Sequence, residues 1–272
     1  MAIKLIATDL NGTLLHDDQS FNQAMFTETL AELTKHNVKL VLSSGNQFAH
    51  LRELFADVLT PELGIIAENG ASIYHDNQLV FDGSLTASQL QTFIETDRFL
   101  PCLKGAYIIL TGAKGSYTEI GAPQQLIDAA EKFYDNLHQV TSLQAVTDKI
   151  KKISVSVLPG QAAQLVQSLN TALAGRLVAH DSGYGVVDLV TTNVGKLPAV
   201  QWLARHWHIQ AEEIMAFGDG ANDVPLLQFA GQGVAMKNAP AEIQRAGNLI
   251  SEWSNQEDGV LKTIQQVIAE LA

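Results

Sequence analysis

The sequence predicts an α/β protein in which a doubly wound parallel sheet is interrupted by an inserted α+β domain. Three observations carry that reading. Short apolar runs alternate with longer amphipathic stretches up to Ala67, the same alternation returns from Ile214 onward, and between these halves the pattern breaks into hairpin and mixed signals.

In the first half, Ile3–Thr8, Val38–Ser43 and Leu63–Ala67 read as strands, with helices over Gln23–His36 and Gln47–Phe55 between them. Near the end, Ile214–Phe217 and Gly233–Met236 read as strands, and Asn222–Phe229, Glu242–Ala246 and Gly259–Leu271 as helices. Ile73-Tyr74, the turn pair Asp76-Asn77 and Leu79-Val80-Phe81 predict a hairpin leading out of the sheet. The segment that follows predicts helices at Ala87–Arg98, Pro123–Leu137 and Gln161–Ala174, with strands near Ala106–Leu110, Lys152–Val157 and Val186–Val190. A chain of 272 residues is long for one core, so two domains are expected: a core from 1–82 and 188–272, and an insertion from 83–187.

Composition narrows the partners. Hydrophobic residues at 46% and charged residues at 17% fit a folded protein, and 29 acids against 17 bases give a net charge of −12. That field repels nucleic acid and anionic membrane surfaces, so neither is expected as a partner. One cysteine, Cys102, cannot form an internal disulfide, which fits a reducing compartment. The N-terminus runs straight into Asp9 with no room for a signal peptide, and no apolar run approaches the ~20 residues that span a bilayer; a cytoplasmic protein is expected.

Four segments carry chemistry. Asp9 follows the first strand and precedes Leu10-Asn11-Gly12-Thr13-Leu14, at the edge where open α/β sheets bind ligands; alone it is equally an acid at a strand–loop junction. Leu42-Ser43-Ser44-Gly45-Asn46 ends the second strand with a hydroxyl and a glycine that lets backbone N–H groups approach an anion, though by itself it reads more simply as a turn or cap. Gly218-Asp219-Gly220-Ala221-Asn222-Asp223 gathers carboxylates and an amide around one loop, oxygen donors suited to Mg²⁺, without the alternating acids and terminal Glu of a calcium hand. Lys196 follows Thr192-Asn193-Val194-Gly195 and opens a predicted helix. A nucleotide P-loop is excluded, because Leu197 stands where that motif needs Ser or Thr.

Taken in order, Asp9–Leu14, Ser44-Gly45, Lys196 and Gly218–Asp223 resemble the four motifs of the haloacid dehalogenase superfamily. The insertion, Glu68-Asn69-Gly70-Ala71 and Asp181-Ser182-Gly183-Tyr184-Gly185 resemble its Cof-type branch, which carries a large α/β cap, and Ser44-Gly45-Asn46-Gln47 is similar to bacterial sugar phosphatases. The resemblance covers essentially the whole chain. It implies a Rossmann-like core, a cap, and a Mg²⁺-dependent phosphatase acting on a small phosphorylated metabolite, with sugar phosphates expected. It implies Asp9 as the nucleophile that becomes an aspartyl-phosphate, and Ser44 and Lys196 as holders of the transferring phosphoryl oxygens. Mg²⁺ would sit at Asp9, Asp219 and the backbone carbonyl of Asn11, with Asp223 supporting. Gly45, Asn46 and Asn222 would face the substrate, Asn222 orienting the phosphate or Lys196. Specificity would reside in the cap, where Ser182, Tyr184 and His180 are candidates that read equally as packing or turn residues. Charges agree: Asp9, Asp219 and Asp223 balance Mg²⁺ and Lys196, and without the metal a phosphate dianion would meet three carboxylates and one lysine.

Position 11 departs from the pattern. Phosphatases of this family carry an Asp two residues after the nucleophile, which protonates the leaving oxygen and then activates water. Asn11 keeps the shape but cannot exchange a proton. Three readings stay open here: a substitution made to trap a ligand, a naturally slow enzyme, or a non-catalytic phosphometabolite sensor using the same pocket.

Overall fold

The computed structural model describes residues 2–271 except 98–99, 101–102, 133, 135, 158–159 and 184; Arg98, Cys102 and Tyr184 thus lie outside the described residues. Strands β1 (Leu5–Thr8), β2 (Lys39–Ser43) and β3 (Gly64–Ala67) are short, apolar and almost wholly buried, as strands covered on both faces must be. Helices α1 (Gln23–Lys35) and α2 (Phe48–Leu54) connect them. The Asn22 side chain accepts a hydrogen bond from the Met25 N–H and starts α1, which buries Phe26, Leu30 and Leu33 at helical spacing. Phe26 meets Phe21 and Phe55 in a trio with ring centroids 4.7 to 5.8 Å apart, pinning α1 to the end of α2. The hairpin of β4 (Ser72–His75) and β5 (Gln78–Asp82) turns over Asp76 and Asn77, both at positive φ.

The inserted segment carries α3 (Ala87–Asp97), β6 (Tyr107–Gly112), β7 (Ser116–Glu119), α4 (Gln124–Ala130), β8 (Leu137–Val140), β9 (Ile150–Ser156), α5 (Ala162–Ala172), β10 (Leu177–Asp181) and β11 (Val186–Thr191). Among the described residues its six strands form a second sheet in the order β10-β11-β9-β6-β7-β8, antiparallel except for β7 with β8. Its core joins Phe93 and Ile94 of α3, Ile153 and Val155 of β9, and Leu165 and Leu169 of α5. The chain then returns through α6 (Lys196–His206), β12 (Ile214–Gly218), α7 (Val224–Phe229), β13 (Gln232–Ala235), α8 (Ala241–Gln244), β14 (Leu249–Ile250) and α9 (Gly259–Leu271). The first sheet, of eight strands among the described residues, runs β14-β13-β12-β1-β2-β3-β4-β5. The chain winds outward from β1 to β3 on one side and from β12 to β14 on the other, so the topological switch point lies between β1 and β12, where such sheets bind ligands.

The doubly wound α/β class is as predicted, and differences concentrate in the insertion. The helix expected over Pro123–Leu137 stops at Ala130, and Leu137 instead begins β8. β7, β8, β10 and the two-residue β14 have no counterpart in the predicted elements. β7 (SYTE) and β8 (LHQV) are short and rich in polar residues, so they lack a readable apolar alternation. The expected return at 187–188 falls inside β11, which stays in the second sheet through Thr191. Among the described residues no helix is long and apolar enough to cross a membrane.

Gly233 lies on β13 where an added Cβ would collide with the Leu227 carbonyl in α7. Gly233→Ala is therefore expected to push α7 off the sheet and lower the unfolding free energy by about 1–3 kcal/mol, measured by urea denaturation.

Candidate active site

The parallel pairing of β1 with β12 sets Thr8 opposite Phe217, and the Asp9 N–H donates to the Phe217 carbonyl at 3.1 Å. Asp9 and Asp219, each just past its strand, thereby meet at one edge of the sheet. Oxygens of Asp9, Asp219 and Asp223 all lie within 4.8 Å of one another. Asp223 is 1% exposed; its Oδ2 accepts the Asp219 and Gly220 N–H groups at 3.2 and 3.0 Å, which folds the loop back on itself. Lys196, at the start of α6 and 3% exposed, donates to Asp223 Oδ1 at 2.6 Å and to Asp9 Oδ1 at 2.5 Å.

Three buried or half-buried acids against one ammonium leave negative charge in excess. Burial raises the Asp9 carboxyl to about 8, against the pull of Lys196 and with help from Asp223 and Asp219. Asp219 is raised by burial first and then by Asp223. Burial alone would lower the Lys196 ammonium, but Asp223 and Asp9 more than offset it and hold the lysine charged. The cluster fits a divalent cation: its donors are hard carboxylate oxygens, and the excess charge is what such an ion would cancel. Gly12, at φ 73°, has no room for a Cβ against the Asp219 carboxylate, which Thr13 Oγ1 also holds by a 3.0 Å hydrogen bond.

The loop after β2 faces this cluster. Ser44 is 1% exposed, its N–H donates to the Ile66 carbonyl at 2.9 Å, and its Oγ accepts the Asn46 N–H at 3.0 Å. Asn46 Nδ2 donates to Asn11 Oδ1 at 3.1 Å, while Asn11 Nδ2 donates to Gln19 Oε1 at 2.9 Å, so the position-11 amide is held from both ends. Asn222 Nδ2 reaches Asn69 Oδ1 at 3.4 Å; among the described residues no hydrogen bond joins Asn222 to Lys196.

Between the two sheets lies a cavity of about 460 Å³. Asp9, Asn11, Ser44, Gly45, Asn46, Asp219 and Asn222 line it from the first sheet and Ser182 from the second. Lys196 and Asp223 are not among its lining residues and are joined to it by their hydrogen bonds to Asp9 and the Asp219 loop. His180 does not line the cavity; burial lowers the pKa of its ring. Lys152, Tyr134 and Asp188 do line it and were not anticipated. Asp188 left one signal in the sequence: an acid inside the apolar run Val186-Val187-Asp188-Leu189-Val190 must find a partner once buried.

A doubly wound sheet whose switch point gathers three acids, a buried lysine and a hydroxyl loop under an inserted second sheet defines a class of enzymes that handle phosphate esters. The chain belongs to the haloacid dehalogenase-like hydrolases: residues 6–264 match that family. It is 30% identical over 268 residues, 98% of this chain and 97% of the relative, to the 5-amino-6-(5-phospho-D-ribitylamino)uracil phosphatase YbjI of Escherichia coli. YitU of Bacillus subtilis, named for the same activity, is 24% identical over 273 residues, 96% of each chain. The crystal structure of SMU.1108c from Streptococcus mutans superposes with a TM-score of 0.93 at 31% identity, covering 98% of this chain and 100% of that one. The chain is thus a phosphatase of this family, as the resemblance implied.

Lys196 is the buried cation between two acids, so Lys196→Met should cost about 3–5 kcal/mol of unfolding free energy in the presence of a chelator near neutral pH, read by urea denaturation.

Proposed function

We propose that the chain is a Mg²⁺-dependent phosphatase of small phosphorylated metabolites, sugar phosphates foremost, working through an aspartyl-phosphate on Asp9. The observation that carries the reading is the meeting of Asp9, Asp219 and the Lys196–Asp223 pair at the switch point, where Asp9 and Asp219 border a cavity that residues of the second sheet also line. A carboxylate oxygen of Asp9 attacks phosphorus as the bond to the leaving oxygen breaks; water then attacks phosphorus, the bond to Asp9 breaks, and inorganic phosphate leaves. The Ser44 hydroxyl and the Lys196 ammonium hold the transferring oxygens, and Lys196 favours the ionised form of Asp9 against its burial, a bias that a bound cation would strengthen. Gly45, Asn46, Asn222 and Ser182 face the substrate. Asp9, Asp219 and the Asn11 backbone carbonyl would hold Mg²⁺ with Asp223 in support, and the bound ion would supply positive charge against the phosphoryl oxygens. Residues 83–187 act as the cap over the site, excluding water while the reaction proceeds. The names of YbjI and YitU specify a phosphorylated ribityl chain, which supports a polyhydroxylated substrate for this chain.

A cation site built on these acids predicts that Asp219→Ala lowers Mg²⁺ affinity at least tenfold by isothermal titration calorimetry. An affinity equal to that of the unaltered protein would remove Asp219 from the metal site.

Asn11 supports a second reading, a phosphometabolite sensor, because a side-chain amide cannot exchange the proton that the leaving oxygen needs. If only that proton is missing, Asn11→Asp raises turnover by ~10²–10⁴ with substrate affinity changed a few-fold at most. Both partners of the amide accommodate the change: Asn46 can still donate, and Gln19 can turn its own amide to donate. The check is a steady-state assay with Mg²⁺ on sugar phosphates and an aryl phosphate, with mass spectrometry for deamidation at Asn11-Gly12. A folded Asn11→Asp protein without activity on any of them favours the sensor.

A further inference from the structure

A second buried ionic cluster lies across the cavity from Asp9. Asp188, on β11 and 1% exposed, accepts three hydrogen bonds at Oδ2: from Lys152 Nζ at 2.9 Å, Ser182 Oγ at 2.8 Å and Asn69 Nδ2 at 2.7 Å. Its Oδ1 accepts a fourth from Ser154 Oγ at 2.5 Å. An ionised carboxylate has about four acceptor sites, so Asp188 has little capacity left for a ligand. Lys152 is in the opposite position. Its ammonium has three N–H donors, and among the described residues its hydrogen-bond partner is Asp188 alone. Nζ also lies 5.7 Å from the centre of the Tyr134 ring, a cation–π distance.

Lys152 is 5% exposed. Burial alone would lower its pKa, but Asp188 outweighs that and keeps it charged. A buried ammonium with a spare donor, opening on a cavity, calls for an oxygen acceptor. Because Asp188 already cancels its charge, and Asp181 and Glu242 also line the cavity, a second anionic group is disfavoured there and a neutral oxygen is suited.

We infer that Lys152 is a specificity-determining residue: its ammonium donates to a hydroxyl or carbonyl oxygen on the leaving-group skeleton, while Tyr134 presents its ring to the C–H face of that skeleton. Asp188 is the positioning residue that aims Lys152. The favoured substrates are then phosphate esters of neutral polyhydroxylated or carbonyl compounds. This rests on the phosphatase reading, which puts the phosphoryl end at Asp9.

The test compares kcat/KM for ribose 5-phosphate and glucose 6-phosphate with that for phenyl phosphate, which has no oxygen beyond its phosphate ester. In Lys152→Met the ratio of the better sugar phosphate to phenyl phosphate should fall ~10–100-fold, the size of a lost charged hydrogen bond, mostly through KM. Since Lys152→Met leaves Asp188 buried without its cation, the charge-balanced Lys152→Met/Asp188→Asn protein is measured beside it and should show the same fall. An unaltered ratio in the double variant, or an unsubstituted protein that prefers neither sugar phosphate over phenyl phosphate, overturns the inference. Absence of turnover on all three substrates in the unsubstituted protein would instead strike at the phosphatase reading. Calorimetric binding of the same sugar phosphates against inorganic phosphate then decides Lys152: selective loss of sugar phosphate binding in the double variant supports it, and an unchanged ratio overturns it.

Discussion

The pairing of β1 with β12 is the constraint on which the rest depends. It brings an acid from the beginning of the chain against an acid from near its end, at a sheet edge where both are partly withdrawn from water. Like charges at such range repel strongly in a low-dielectric setting, and among the described residues Lys196 is the cation paired with Asp9 and Asp223. The arrangement is tolerated because the surrounding core is large and apolar: β1, β2, β3 and β12 are buried along nearly their whole length. Stability made in the core is used at the edge, where unbalanced negative charge suits the site to a cation.

Legibility in the sequence followed how each strand is covered. Strands of the first sheet are packed on both faces, so they read as unbroken apolar runs, and Gly259–Leu271 was read with its observed bounds. β7 and β8 carry too few apolar positions to mark a face, and the polar stretch around them was absorbed into a helix that ends at Ala130. In the site, Asp9, Ser44 and Asp219 were readable because a strand end is a local property of the sequence. Lys152 was not, because a lysine within Lys151-Lys152-Ile153-Ser154-Val155-Ser156 reads as a solvent face until its partner is known, and Asp188 showed only that it needed a partner, not which.

The two halves of the site are joined by a strained turn. Glu68 and Asn69 hold φ of 50° and 56°, a region that side chains other than glycine adopt at a cost. Tertiary contacts hold them there. The Glu68 N–H donates to the Asn46 carbonyl at 2.9 Å, the Asn69 N–H to the Ser44 carbonyl at 3.0 Å, and the Phe48 N–H to Glu68 Oε1 at 2.7 Å. Gly70, also at positive φ, packs so closely on Gly195 that no Cβ fits, and Gly195 immediately precedes Lys196. One turn thus braces the Ser44 loop and abuts the start of α6. The same left-handed conformation at Asn69 sets its side chain between Asn222, which donates to Oδ1, and Asp188, which accepts from Nδ2. A relaxed backbone at this position would leave Asp188 one donor short and detach the Lys152 side of the cavity from the Asp219–Asp223 loop. The strain therefore persists because it fixes the Ser44 loop and the Asp188 wall in one geometry.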